Sequence, residues 1–329
     1  MDDVAERWRV HPEEVQEVPA PFFFPEHLER IAGFGPLTDR QFQMNVIERR
    51  LVHHDATLAY RLRGALVQNG FVYSQGLSHA FTFRRRPWVG GVPERELDEA
   101  ALVTEALSTK WFGDFLFNEC SAGLLAQEQV DTLIREEALS RHGLEYAQIF
   151  GLRYEAVRAA YVHELMLVRD IGMNANRRAR LRRMREMVQA AFPLSDPKKV
   201  PRGVFIVRGR SGSARILRNE PELVEAMSAR GIAHVTSDEP LDALLPQCMG
   251  AQLVISVDGS QQNHGLMAMR EGGFLLSLQP PDRVNLDTKI RTDALGFGYG
   301  FLIGEGSSSG FRIELEDILR LLARAGYAL

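Results

Sequence analysis

The second half of the chain alternates short apolar strands with helices, and this alternation limits the fold more than any other feature. Strand-like VFIVRG (204–209), IAHVTS (232–237), AQLVISVDG (251–259), FLLSLQ (274–279) and YGFLIG (299–304) are separated by helical NEPELVEAMSARG, PLDALLPQCMG, QQNHGLMAMREGG and VNLDTKIRTDALG. A last helix, IELEDILRLLARAGY, closes the pattern. Strands joined through helices need crossover connections, which implies a parallel sheet covered on both faces, the doubly wound Rossmann-type arrangement. Ligands of such sheets bind beyond the carboxyl ends of the strands.

The first half is less regular. The prolines of PAPFFFPEH (19–27) interrupt regular structure, and LRGALVQNGFVYSQG (62–76) reads as two strands around an Asn69-Gly70 turn. From Glu94 to about Gln127 the pattern is helical; VDTLI (130–134) then reads as a buried strand, EEALSRHGLEYAQIFG as a helix and AAYVHELMLV (159–168) as another strand. A basic helix, NANRRARLRRMREMVQAAF (174–192), precedes PLSDPKKVPRG, which has no periodicity and marks a boundary. The expected organisation is an N-terminal domain over 1–195, β-rich over 1–95 and Rossmann-like over 96–195, followed by a Rossmann-like domain over 196–329.

Composition removes several classes. A formal charge of −4 on 329 residues gives no general attraction to nucleic acid or anionic membrane. Cys120 and Cys248 are the only cysteines, which excludes a disulfide framework and a multi-cysteine zinc site. The N-terminal MDDVAERWRVHPEE lacks the order of a signal peptide, and no apolar run is long enough to span a membrane. The expectation is a soluble, cytoplasmic enzyme without a nucleic-acid partner. Helix 174–192 could meet an anionic glycan or a lipid head group, but a solvated face is the expected use of such a charge run.

Anion binding, if any, is local, and the place for it is VRGRSGSARILRNEPE, which holds Arg208, Arg210, Arg215 and Arg218 directly after the first strand of the second half. Arg208 ends that strand, GRSGSA is small enough for backbone N–H groups to approach a ligand, and Asn219 can cap the next helix. Guanidinium forks with backbone donors suit a diphosphate. The glycines match neither the Walker pattern nor G-x-G-x-x-G, which argues against an ATPase or a nicotinamide dehydrogenase.

VFIVRGRSGSARILRNEPELVEAMSARGIAHV, followed by AQLVISVDGSQQNHGLMAMREGGFLLSLQP, resembles the C-terminal half of the family 61 glycosyltransferases. Arg208, Arg215, Ile216, Asn219 and Glu220 match the first part of the family pattern, and Asp258, Gly259 and Ser260 the second. WFGDFLFNE (111–119) lies where the family often has an aromatic-Gly-His-Trp-Leu-Leu-Glu/Asp run, here with Asp114 in place of histidine and Phe115 in place of tryptophan. The resemblance implies a GT-B-like α/β architecture, two Rossmann-like domains facing a cleft, and transfer of a sugar from a nucleotide diphosphate donor such as a UDP-sugar to a hydroxyl of a glycan or other acceptor. It also implies that Arg208 and Arg215 neutralise the diphosphate, that Asn219 and Glu220 shape the base or ribose side, and that Gly259 and Ser260 lead into a helix N-terminus beside the donor.

No Asp-x-Asp metal pattern is visible, so the expectation is transfer without a metal or other cofactor. Inverting transfer needs one general base at the acceptor hydroxyl, and Asp114, Glu119, Asp258 and His264 are the candidates. Two alternatives stand beside this reading. One is a non-catalytic nucleotide-binding module of the same fold, suggested by the replaced histidine and tryptophan. The other is a Rossmann-type methyltransferase, which rests on the strand–helix alternation alone.

Overall fold

The structure is a computed structural model that describes residues 6–83, 92–194, 200–209 and 214–329. Arg210 and residues 195–199 of PLSDPKKVPRG, both singled out in the sequence, lie outside the described residues. The chain forms two compact units, one of Met1–Val15 with His53–Met187 and the other of Gln16–Val52 with Val188–Leu329.

The strands of the first unit are β1 (Glu6–His11), β2 (Thr57–Gln68), β3 (Phe71–Ser74), β4 (Leu77–Ala80), β5 (Arg95–Leu102), β6 (Leu133–Arg135), β7 (Tyr154–Ala156) and β8 (Ala159–Arg169). Their order is β4-β3-β2-β8-β5-β6-β7, with β1 also on β2. The β2–β3 hairpin turns at Asn69 (φ 55°) and Gly70 (φ 80°), as the Asn-Gly pair requires. From β8 to β7 the pairing is parallel, but β8 also pairs antiparallel with β2 along almost its whole length. The β-rich segment and the part expected to be a separate Rossmann-like layer therefore share one mixed sheet. A core of Leu62, Val67, Leu102, Ile134, Val162 and Leu165 lies in it.

The expected helix at the start of 94–127 is replaced by β5. RELDEAAL is rich in helix formers, but Ala100, Ala101 and Leu102 are buried with β8 on one side and β6 on the other. Tertiary pairing overrides local propensity here. After β5 the chain does become helical, from Phe112 to Ala126, and Phe115–Glu119 within it forms a π-turn in which the Cys120 N–H bonds back to the Phe115 carbonyl. Such turns insert one residue into a helix and are frequent at functional positions.

The basic helix spans Ala175–Ala191, and the expectation of a solvated face is corrected. Arg177, Arg180 and Arg185 are buried, while Arg182 and Arg183 are exposed. Arg177 Nη2 donates to the Phe117 carbonyl at 3.2 Å and Arg180 Nη1 to the Ser121 carbonyl at 2.8 Å, so the arginines satisfy backbone acceptors along the interrupted helix. Asp170 balances their charge, with Oδ2 2.9 Å from Arg180 Nη2 and 3.7 Å from Arg177 Nε.

The second unit contains β9 (Gly203–Val207), β10 (Ile232–Thr236), β11 (Leu253–Val257), β12 (Phe274–Gln279) and β13 (Gly298–Ile303), all parallel, in the order β10-β9-β11-β12-β13. LVISV and FLLSLQ are buried at every position, as strands covered on both faces must be. The strand order reverses between β9 and β11, which makes their carboxyl ends the switch point where doubly wound sheets bind ligands.

Residues 16–52, expected with the N-terminal domain, pack within this second unit. Phe22 N–H donates to Tyr299 O at 2.9 Å, Phe301 N–H donates to Phe22 O at 2.9 Å, and the Phe23 and Phe301 rings stack at 5.2 Å. The chain around Phe22 thus lies along β13 in a single bridge to Gly300, and the 3₁₀ helix Pro25–Arg30 follows directly, so the pairing at this edge does not continue.

Candidate functional site

The switch point of the second unit gathers the arginines. Arg208 follows β9, and its Nη1 donates to the Asp258 carbonyl and to Gln261 Oε1, both at 3.0 Å. Asp258 follows β11, and its Oδ2 lies 3.1 Å from Arg215 Nε. Arg283, in the loop after β12, and Arg291 also act on the Asp258 charge. Four guanidiniums thus act electrostatically on a carboxylate that is itself buried, and Glu220 also acts on Arg208.

The electrostatics leave this cluster short of negative charge. Burial, then the neighbouring guanidinium of Arg215 and that of Arg283, bring Arg208 down to about 10. It remains cationic at neutral pH. Arg283 is lowered by burial and by Arg215. Burial pushes Asp258 above the usual carboxylate range although Arg215, Arg208, Arg283 and Arg291 all pull it back. The Nε atoms of Arg215 and Arg283 are buried with no hydrogen-bond partner among the described residues. Buried donors in that state call for an acceptor.

Local geometry explains why particular residues stand here. Gly259 has φ 151°, and a Cβ on it would fall on Arg208 Nη1 and Gln261 Oε1. Only glycine lets the guanidinium pass so close to the backbone. Gln261 Nε2 donates to Val257 O at 2.6 Å and to Ser256 Oγ at 3.2 Å, which turns its oxygen toward Arg208. Arg291 Nη1 donates to Asn263 Oδ1 at 2.9 Å.

The other nucleotide-side expectations meet different surroundings. Asn219 does not cap the helix Glu220–Ser228 with its side chain. Its Nδ2 donates to Ile313 O at 2.8 Å and its Oδ1 accepts from Ile313 N at 3.4 Å, so the amide is used to hold the Gly310–Arg312 strand end. Glu220 Oε1 accepts from the Arg208 backbone N–H at 3.4 Å, and burial raises its carboxyl against that bond and the Arg208 charge. Ser260 is half-buried, and its carbonyl accepts from Asn263 N at 3.2 Å and Nδ2 at 2.7 Å.

The base candidates separate by burial. Glu119 is fully buried; its Oε1 accepts from Arg135 Nε at 3.2 Å and Thr104 Oγ1 at 3.3 Å, and its Oε2 accepts from Ser108 Oγ. Burial raises its carboxyl while Arg135 opposes this. His264 is buried within the helix Gln262–Ala268. Asp258 is committed to the arginines. Asp114 alone is half-buried, on the first turn after Trp111, with Oδ1 3.4 Å from Asn118 Nδ2.

Glu105, which sequence reading passed over, lies at the carboxyl end of β5 near Asp114. Burial raises its carboxyl; Arg177 opposes the rise, and Asp170, Asp114 and Glu119 add to it. Arg283 was also missed. Its one signal in the sequence is its place just after a strand, in QPPDR.

The family model described as Glycosyltransferase 61 matches residues 22–275, more than half of the chain. No curated protein matches the chain.

Proposed function

The chain belongs to glycosyltransferase family 61 and is a glycosyltransferase, and from that premise we propose that it takes its sugar from a nucleoside diphosphate donor, such as a UDP-sugar, held at the β9–β11 switch point. The observation that carries this reading is the excess of guanidinium over carboxylate there, with the Arg215 and Arg283 Nε donors unsatisfied. A diphosphate supplies acceptors in the geometry that arginine forks match.

In the proposed reaction a carboxylate takes the proton of the acceptor hydroxyl as its oxygen attacks the anomeric carbon. The bond from that carbon to the diphosphate oxygen breaks, and its electron pair leaves with the nucleoside diphosphate. Arg208, Arg215 and Arg283 stabilise the charge that grows on the leaving group, in a site already arranged for it. Attack opposite the leaving group inverts the anomeric centre. Asp114 serves as the base, because it is the one candidate that is half-buried, whereas Glu119, Asp258 and His264 are buried.

Thermal-shift measurements with UDP, UDP-sugars, NAD and S-adenosylmethionine test the donor class. Binding to the folded state raises stability by about 2.7 kcal/mol at a hundredfold excess over the dissociation constant. Stabilisation by UDP-type ligands alone is expected; stabilisation by S-adenosylmethionine or NAD instead would reject the reading.

A further inference from the structure

The helix Phe112–Ala126 carries Asp114 one position before its π-turn, and a buried arginine of another helix reaches into that turn. Arg177 Nη2 lies 2.5 Å from the side-chain oxygen of Asn118, and the same nitrogen donates to Phe117 O at 3.2 Å. A guanidinium has only donors to offer, so the Asn118 atom facing it is the amide oxygen. The amide nitrogen then faces the other way, where Asp114 Oδ1 lies at 3.4 Å. Arg177 is in turn fixed from behind: its Nη1 donates to the carbonyls of Asp170 and Ile171, and its Nε lies 3.7 Å from Asp170 Oδ2.

We propose that Asn118 and Arg177 are positioning residues for Asp114: Arg177 sets the orientation of the Asn118 amide, and Asn118 donates to one oxygen of the Asp114 carboxylate. The carboxylate is thereby held in one orientation toward the acceptor hydroxyl. The inference rests on Asp114 acting as the base. The geometry also explains why a π-turn sits at this place. The inserted residue shifts the register of the helix after Asp114 and presents the Phe117 carbonyl and the Asn118 side chain to the same guanidinium.

Asn118 separates positioning from mere support of the fold. Asn118→Asp keeps an oxygen for Arg177 and exchanges a neutral acceptor for a charged one, so support of the arginine is preserved or strengthened. It also replaces the donor facing Asp114 with an acceptor. Asn118→Ala removes both. Both variants are expected to lower kcat by about 10- to 100-fold, the order of loss that misplacement of a reacting group produces. KM for the nucleotide sugar should stay near wild type in both variants. In an Asp114→Asn background, Asn118→Ala should change kcat no further, because its effect passes through Asp114. Wild-type kcat in Asn118→Asp, or losses that multiply in the double variant, would overturn the positioning role while leaving Asp114 as the base. Wild-type turnover in Asp114→Asn alone would overturn the base assignment, and the positioning role with it.

Discussion

Arg215 Nε lies 3.1 Å from Asp258 Oδ2, yet neither atom completes a hydrogen bond among the described residues. The pair is close enough for strong attraction and misaligned for a bond, so Asp258 holds Arg215 in place without using up its donor. A ligand anion entering the cluster meets guanidiniums already gathered, at the cost of less reorganisation.

Replacing Arg215 or Arg283 by alanine should therefore weaken UDP binding. Loss of a charge-assisted contact costs on the order of 1.5–3 kcal/mol, or roughly 10- to 150-fold in affinity. Calorimetric titration of each variant checks this. Because Arg215 and Arg283 repel one another, Arg283→Ala should leave the melting temperature unchanged or slightly higher. Unchanged affinity in both variants would remove the diphosphate from this cluster.

Gly259→Ala probes the same cluster through the backbone. The added methyl would occupy the space of Arg208 Nη1 in a conformation, φ 151°, that alanine disfavours. Strain of this kind costs about 1–3 kcal/mol. The expected outcome is a lower melting temperature together with weaker UDP binding, since relief of the clash moves Arg208 away from Gln261. A variant that melts and binds as wild type would show that the close approach is not required.

The strands of the second unit were legible because LVISV and FLLSLQ are buried on both faces and read as unbroken apolar runs. Arg208 and Arg215 were legible because the first sits at a strand end and the second follows a short glycine-serine stretch. Arg283 was not, since QPPDR has no periodicity and its guanidinium joins the others only through the fold. Asn219 has the residue type of a helix cap, but its amide is taken by Ile313, ninety-four positions away in sequence. The same limit applies to β5, whose helix-forming residues become a strand through pairing with β8. It applies also to Arg177 and Arg180, whose charge run reads as a solvated face until a π-turn and Asp170 receive it.

In the proposed reading, Arg208, Arg215 and Arg283 supply the positive charge that a divalent ion would otherwise bring to the donor diphosphate. Turnover is expected to persist in excess EDTA and to gain little from added magnesium or manganese. Loss of turnover on chelation, restored by either ion, would assign part of the charge neutralisation to a metal.

Glu105 gives a pH signature in stability. Burial raises its folded-state carboxyl above the usual glutamate range, so the ionised form is disfavoured in the fold. A group shifted in this direction contributes stability that is full below its unfolded value and is lost as pH rises through its folded value. Glu105→Gln cannot ionise and should avoid that loss. Its melting temperature should exceed that of wild type at neutral pH, and the two should converge toward about pH 4, near the unfolded glutamate value. A gap that stays constant from acid to neutral pH would mean that Glu105 ionises in the fold without penalty.

Asp114 carries the heaviest chemical claim, and its substitution is the most direct test. A general base must come within hydrogen-bond reach of the acceptor hydroxyl, which a fully buried acid such as Glu119 cannot do while Arg135, Thr104 and Ser108 occupy it. Asp114 is half-buried and lies at the start of a helix rather than inside its packed turns. Asp114→Asn keeps the shape and removes the basic oxygen, so turnover should fall by roughly 10²–10⁴-fold. UDP affinity should remain near wild type, because the arginines of the second unit are untouched. Asp258→Asn should show the opposite pattern, with donor binding disturbed first, since Arg215 would lose the charge that holds it. Equal turnover in Asp114→Asn and wild type, with loss in a Glu105 variant that still folds, would move the base to Glu105.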